Sequence, residues 1–127
     1  MAKRILIIDD DPDFAEAVSS LLESNGYAVA SALCTEDGLA QACKKPCPDC
    51  ILLDVMMAGK VEGFEFSRTL RDNPDTSNIP VILVTGIRRD LSIPYALEPD
   101  REWLPVKAIL EKPIRPDTLL KTIAENL

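Results

Sequence analysis

The sequence has no histidine. A zinc site draws on histidine and cysteine, so here it would have to be built from cysteine alone. Four cysteines occur: Cys34, Cys43, Cys47 and Cys50. The C-x3-C-x2-C spacing of the last three is irregular for zinc, and Cys34 would have to complete the set. Free thiols are the plainer reading. Basic residues are also few, 14 Lys and Arg against 21 Asp and Glu, for a net charge of -7. A negative surface argues against nucleic-acid backbones and anionic lipid as partners. No apolar run approaches the length needed to span a bilayer. The opening Met1-Ala2-Lys3-Arg4 is followed by only four apolar residues, too few for a signal peptide. A cytoplasmic chain with no membrane partner is expected.

The 127 residues, 46% hydrophobic and 28% charged, suffice for a single domain over 1–127 with one buried core. Arg4-Ile5-Leu6-Ile7-Ile8 is a short continuous apolar run that stops at Asp9-Asp10-Asp11. Runs of this kind fit strands covered on both faces, as in a parallel sheet. Asp11-Pro12 reads as a cap followed by proline at the first helical position. Phe14, Val18, Leu21 and Leu22 then recur at helical spacing, and Asn25-Gly26 closes the helix. Tyr27 to Ala32 is a weaker strand. Thr35 is placed to cap a second helix carrying Leu39 and Ala42, and Pro46 and Pro48 mark a loop. Cys50-Ile51-Leu52-Leu53 is a third buried strand, ending at Asp54. A helix from about Glu62 to Arg71 follows, with Phe66 and Leu70 one turn apart, and Asn73-Pro74 ends it. Pro80 to Val84 is the fourth strand, ending at Thr85-Gly86. Ala108-Ile109-Leu110 is the fifth, ending at Glu111-Lys112-Pro113. A last helix from Pro116 would bury Leu119, Leu120, Ile123 and Leu127.

Strand and helix alternate five times, which calls for a parallel sheet with helices on both faces. One stretch departs. A fourth helix is due between Ile87 and Val106, yet Pro94, Pro99 and Pro105 leave no room for an uninterrupted helix of ordinary length. We expect it to be short or irregular.

Ligands of open α/β sheets bind outside the carboxyl ends of the strands. Strand one delivers Asp9 and Asp10 there, strand three Asp54, strand four Thr85 and strand five Lys112. Taken singly these are ordinary features: an Asp pair before a helix is often a cap, a Thr after a strand a turn residue. Taken together they are a chemistry. Crowded carboxylates repel one another unless a cation intervenes. Magnesium is a hard divalent ion with oxygen ligands that also favours phosphate oxygens. The Lys112 ammonium suits a phosphoryl oxygen, and the Thr85 hydroxyl can donate to another. Such a set stabilises charge on a transferring phosphoryl group while a carboxylate attacks in line.

The sequence resembles the receiver domains of the response regulators of two-component signalling. The resemblance rests on Ile7-Ile8-Asp9-Asp10-Asp11-Pro12, on Pro48-Asp49-Cys50-Ile51-Leu52-Leu53-Asp54-Val55-Met56-Met57, on Gly63-Phe64-Glu65, on Ile79 to Gly86, and on Glu111-Lys112-Pro113-Ile114. These motifs occur in the family's order and span essentially the whole chain. The resemblance implies a flavodoxin-like sheet of order 2-1-3-4-5, magnesium as cofactor, and a phosphohistidine of a sensor histidine kinase or phosphotransfer protein as donor. It makes Asp54 the phosphoacceptor and Asp9 and Asp10 the metal-binding pair, with Asp10 the more direct ligand. It adds the Met56 backbone carbonyl as a further metal ligand. Thr85 and Lys112 become the residues that sense the phosphoryl group, and the Lys112–Pro113 bond is implied to be cis. The module would catalyse only its own phosphorylation and dephosphorylation, carry no output domain, and meet a downstream protein through residues 87–110.

Three departures from the family pattern bear on this. Ala58 stands where a proline is usual, and the loop to Gly63 is a residue longer. Ile109 replaces an aromatic residue often found three positions before the lysine. The interval from Thr85 to Lys112 is longer than usual and rich in proline. With Ile109 in that place, the reporter of phosphorylation is expected in the 87–106 segment, with Tyr95 or Trp103 as an exposed anchor. The side chains that flank the path of hydrolytic water in receiver domains are here Met56 and Ile87, neither of which can orient a water. Slow self-dephosphorylation is therefore expected. Two rival readings stay open. One is a phosphatase or phosphotransferase of the haloacid-dehalogenase type, matched only at Asp9-x-Asp11. The other is a receiver-like binding module that takes no phosphate.

Overall fold

Five short apolar runs form one parallel sheet. The structure is a computed structural model and describes residues 2–55, 62–86 and 104–127. The strands are β1 (Arg4–Ile8), β2 (Ala28–Ala32), β3 (Cys50–Asp54), β4 (Val81–Thr85) and β5 (Ala108–Glu111). Their order is β2-β1-β3-β4-β5, and every neighbouring pair is parallel. Four helices lie among the described residues: α1 (Pro12–Ser24), α2 (Thr35–Cys43), α3 (Glu62–Asp72) and α4 (Pro116–Glu125). This is the flavodoxin-like arrangement that the motifs imply.

Successive residues of a strand face opposite sides of the sheet. A strand that is apolar at every position therefore feeds two cores. Leu6, Ile8, Ile51, Leu53 and Leu83 pack with Ala42 of α2 and with Phe66 and Leu70 of α3. Ile5, Ile7, Leu52, Ile82 and Val84 pack with Val18 and Leu22 of α1 and with Leu119 and Ile123 of α4. β3 and β4 are buried at all positions, whereas the edge strand β2 is mostly exposed, which is why its sequence, Ala-Val-Ala-Ser-Ala, is the least apolar of the five. No helix among the described residues is long and apolar enough to cross a membrane.

The ends of α1 follow from local chemistry. The Asp11 carboxylate accepts from the Asp13 and Phe14 N–H groups, and Pro12 takes the first helical position. At the far end the Gly26 N–H donates to Glu23 C=O and the Tyr27 N–H to Leu22 C=O, both at 3.1 Å. This paired closure puts Gly26 at φ +91°, a conformation that glycine adopts without a Cβ penalty.

Local signals misplace a few residues. Thr35 is the first residue of α2 rather than its cap; Cys34 holds the cap position and makes no side-chain capping bond. In α4, Leu119 and Ile123 are buried, but Leu120 is only half-buried and Leu127, beyond the helix end, is 43% exposed. α4 ends at Glu125, so Leu127 is not held to the helix's apolar stripe. The expectations for a short or irregular fourth helix, for Tyr95 and Trp103, and for the loop at Ala58 fall outside the described residues. Leu104 and Val106, at the end of that interval, are buried in the core shared with α3.

Candidate functional site

Register decides which strand ends meet. Ile8 lies opposite Leu53, which sets Asp9 level with Asp54 on neighbouring strands. Asp54 lies opposite Val84, one residue before Thr85, and Thr85 lies opposite Glu111, one residue before Lys112. Backbone bonds prolong the ladder past the strands: the Val55 N–H donates to Val84 C=O at 3.1 Å and the Lys112 N–H to Thr85 C=O at 2.8 Å. The Lys112–Pro113 peptide bond is cis.

Asp9, Asp54 and Thr85 are buried polar residues, at 1%, 6% and 1% exposure, while Asp10 is exposed. One carboxylate oxygen from each of Asp9, Asp10 and Asp54 lies within 4.8 Å of the other two. The oxygens across an octahedral magnesium are about 4.2 Å apart, twice the metal–oxygen bond. Neighbouring oxygens of that octahedron are about 3 Å apart, so the three carboxylates reach a shared small divalent cation by closing in by up to about 2 Å through side-chain rotation, and their sign and hardness suit one. They form the sole grouping of three or more potential metal-ligating side chains among the described residues. The four cysteines are free, with Cys50 buried in the sheet and Cys34 exposed.

The Lys112 ammonium donates to Asp9 Oδ2 at 3.0 Å and lies 3.8 Å from Asp54 Oδ1. The other oxygen of Asp9 accepts the Asp11 N–H at 2.9 Å. Each carboxylate oxygen of Asp9 is therefore engaged, which holds its plane in one orientation. The structure brings Asp9, Asp10, Asp54 and Lys112 together and places Thr85 on the adjoining strand. Met56, whose carbonyl the resemblance makes a ligand, lies outside the described residues.

Two further residues bear on the site in ways the sequence pattern did not assign. Phe14 reads from its spacing as one more core position of α1, yet its ring centroid is 4.2 Å from the Lys112 ammonium. Gly63 belongs to a family motif without an evident task. A Cβ there would lie 2.5 Å from the Asp54 carbonyl oxygen and 2.6 Å from Val55 Cα. The Gly63 N–H donates to Val55 C=O at 2.9 Å. The start of α3 thus rests directly on the backbone that presents Asp54, an approach only glycine allows. Its place in the first turn of the helix that follows the Asp54 strand was the available signal.

A buried aspartate at a parallel strand end, beside two more aspartates and a lysine, defines a class of acidic-pocket α/β domain. The chain belongs to the response regulator receiver domain family, whose pattern it matches over residues 5–124. It is 38% identical over 123 residues to the protein PilH of Pseudomonas aeruginosa, covering 94% of this chain and 93% of that one. It is 40% identical over 87 residues to the response regulator PleD of Caulobacter vibrioides, of which those residues span only 19%. Among solved structures, the chemotaxis protein CheY4 of Vibrio cholerae superposes with a TM-score of 0.81 at 28% identity, covering 100% of both chains.

Proposed function

We propose that the chain is a phosphorylation-dependent signalling module that takes a phosphoryl group from a phosphohistidine onto Asp54. The observation that carries this reading is the buried Asp54 carboxylate, 3.8 Å from the Lys112 ammonium and within 4.8 Å of the Asp9 and Asp10 oxygens. Its donor is a sensor histidine kinase or a phosphotransfer protein, consistent with membership of the receiver family. The module works in the cytoplasm, binds no nucleic acid itself, and passes its state to a downstream protein through residues 87–110. It turns over no external substrate.

The chemistry follows from the placement of groups. An Asp54 carboxylate oxygen attacks phosphorus, the phosphorus–nitrogen bond of the donor breaks, and the electron pair returns to the imidazole nitrogen. Asp9 and Asp10 would hold magnesium together with Asp54; when bound, the ion supplies positive charge to the phosphoryl oxygens. Lys112 is near enough to exchange Asp9 for a phosphoryl oxygen without a large side-chain movement. Thr85, at the adjoining strand end, offers a hydroxyl to another. Asp11 stands apart from this chemistry: its carboxylate caps α1 and its N–H orients Asp9.

The test is intact-mass measurement after incubation with acetyl phosphate and magnesium. One acid-stable, base-labile phosphoryl group is expected, absent from Asp54→Asn and without chelation-resistant labelling. Undiminished labelling of Asp54→Asn would sink the assignment.

A further inference from the structure

We infer that Phe14 is a positioning residue for phosphoryl transfer: its ring holds the Lys112 ammonium at the mouth of the acidic pocket. This rests on the phosphoacceptor reading above. It concerns a residue on α1, remote in sequence from Lys112 and bearing no group that could touch a phosphoryl oxygen.

Among the described residues the ammonium meets three side chains from three parts of the fold. Asp9 Oδ2 is at 3.0 Å, Asp54 Oδ1 at 3.8 Å and the Phe14 ring centroid at 4.2 Å. The last distance is well inside the range in which a cation is attracted to the face of an aromatic ring. The three contacts differ in what happens during the reaction. Asp9 and Asp54 are the groups whose charge changes hands. Asp54 takes the phosphoryl group, and Asp9 is one of the carboxylates offered to a cation. A second cation near Asp9 weakens its hold on the lysine. The ring is neutral, binds no metal and takes no phosphate. It keeps its attraction for the ammonium throughout, and it lets the ammonium swing from Asp9 toward a phosphoryl oxygen without leaving the ring face. A carboxylate in the same place would bind the lysine too, but it would also add negative charge where the incoming phosphoryl group is already anionic.

The ring is itself anchored. Phe14 lies in the first turn of α1, where its N–H donates to the Asp11 carboxylate at 3.3 Å. Asp11 in turn donates its N–H to Asp9 at 2.9 Å. The side chain also packs against the core that α1 shares with α4. Capping, the acidic pocket and the ring are thus one connected unit. The Lys112 side chain is 27% exposed, so water competes for the ammonium and the ring's effect is of the modest size found at partly exposed sites.

Two substitutions separate the ring from mere bulk. Phe14→Leu keeps an apolar side chain in the core and removes the aromatic face. Phe14→Tyr keeps the face. In protein labelled at lysine with carbon-13, the ε-methylene protons of Lys112 should be shifted upfield by the ring current in the wild type and in Phe14→Tyr, and should return to ordinary lysine positions in Phe14→Leu. At saturating acetyl phosphate and magnesium, Phe14→Leu should be phosphorylated about two- to five-fold more slowly, with Phe14→Tyr restoring the rate. No upfield shift in the wild type, an unchanged rate in Phe14→Leu, or a Phe14→Tyr as slow as Phe14→Leu would each overturn the inference. A wild-type chain that takes no phosphoryl group defeats the phosphoacceptor reading and this role with it, and the proton shifts then still decide whether the ammonium sits on the ring.

Discussion

Replacing Gly63 by alanine should unseat α3 from the strand that presents Asp54. The added Cβ would stand 2.5 Å from the Asp54 carbonyl oxygen, 2.6 Å from Val55 Cα and 3.1 Å from the Asp54 carbonyl carbon. These are backbone atoms at the end of β3 and one residue past it, tied to β4 by the Asp54–Val84 pairing and the Val55 N–H bond to Val84 C=O, so none can rotate away. The helix must therefore retreat by about 1 Å to restore van der Waals contact. That retreat stretches the 2.9 Å bond from the Gly63 N–H to Val55 C=O. Overpacking of a close-packed interior costs about 1–3 kcal/mol, and loss of the hydrogen bond about 1 kcal/mol. The sum, about 2–4 kcal/mol, is a large share of the roughly 5–15 kcal/mol by which domains are stable. For a chain of this size it corresponds to a melting temperature lower by roughly 8–16 °C. Gly86→Ala is the control, since nothing among the described residues lies within 4 Å of a Cβ there, and it should stay within about 0.5 kcal/mol of the wild type. Thermal unfolding followed by circular dichroism measures both. A Gly63→Ala protein that melts with the wild type would refute the claim that α3 rests on the Asp54 backbone.

Three other outcomes are expected. Burial pushes the Cys50 thiol up from 9.0 to about 12, so between those values the unfolded chain gives up a proton that the fold retains. Stability from this group is complete below pH 9 and declines as pH rises toward 12, by as much as about 4 kcal/mol; Cys50→Ala should lack that share of the alkaline loss, and native alkylation should reach Cys34 but spare Cys50. Asp11→Ala removes the acceptor for the Asp13 and Phe14 N–H groups and should cost about 1 kcal/mol in urea unfolding, with no loss of the phosphoacceptor itself. The Asp54 phosphoryl group should decay slowly, since Met56 and Ile87 cannot orient water; a fast decay that Met56→Asn and Ile87→Glu leave unaltered would contradict this.

The strand ends were legible because of how a parallel sheet is built. An apolar run that is cut off by a polar residue announces both a strand and its carboxyl end, and all such ends lie on one edge of the sheet. Ile8 before Asp9, Leu53 before Asp54, Val84 before Thr85 and the run before Lys112 needed no coordinates to be grouped. Helix faces were legible for the same reason, as Val18 with Leu22 and Phe66 with Leu70 are one turn apart. Local ends were less so. Thr35 is a usual capping residue type, yet Cys34 stands at the cap position of α2 without a side-chain capping bond, so propensity points one residue too late. Leu127 continues the periodicity of α4 in sequence but not in space, because the helix stops two residues short of it.

Sequence alone thus determined the alternation of strands and helices, the acidic and cationic residues that share an edge, and the cap that Asp11 supplies. Alternation and capping are properties of residues within a few positions of one another, and the shared edge follows from the rule that the carboxyl ends of parallel strands lie on one side of the sheet. Tertiary structure decided the rest: which oxygen of Asp9 faces the lysine, that Phe14 turns its ring to an ammonium 98 positions away in the chain, about a cation–π distance apart, and that Gly63 must lack a side chain because a strand passes beneath it. Those distances are set by strand register and by how closely a helix can approach a sheet, and neither is written in any local stretch of sequence.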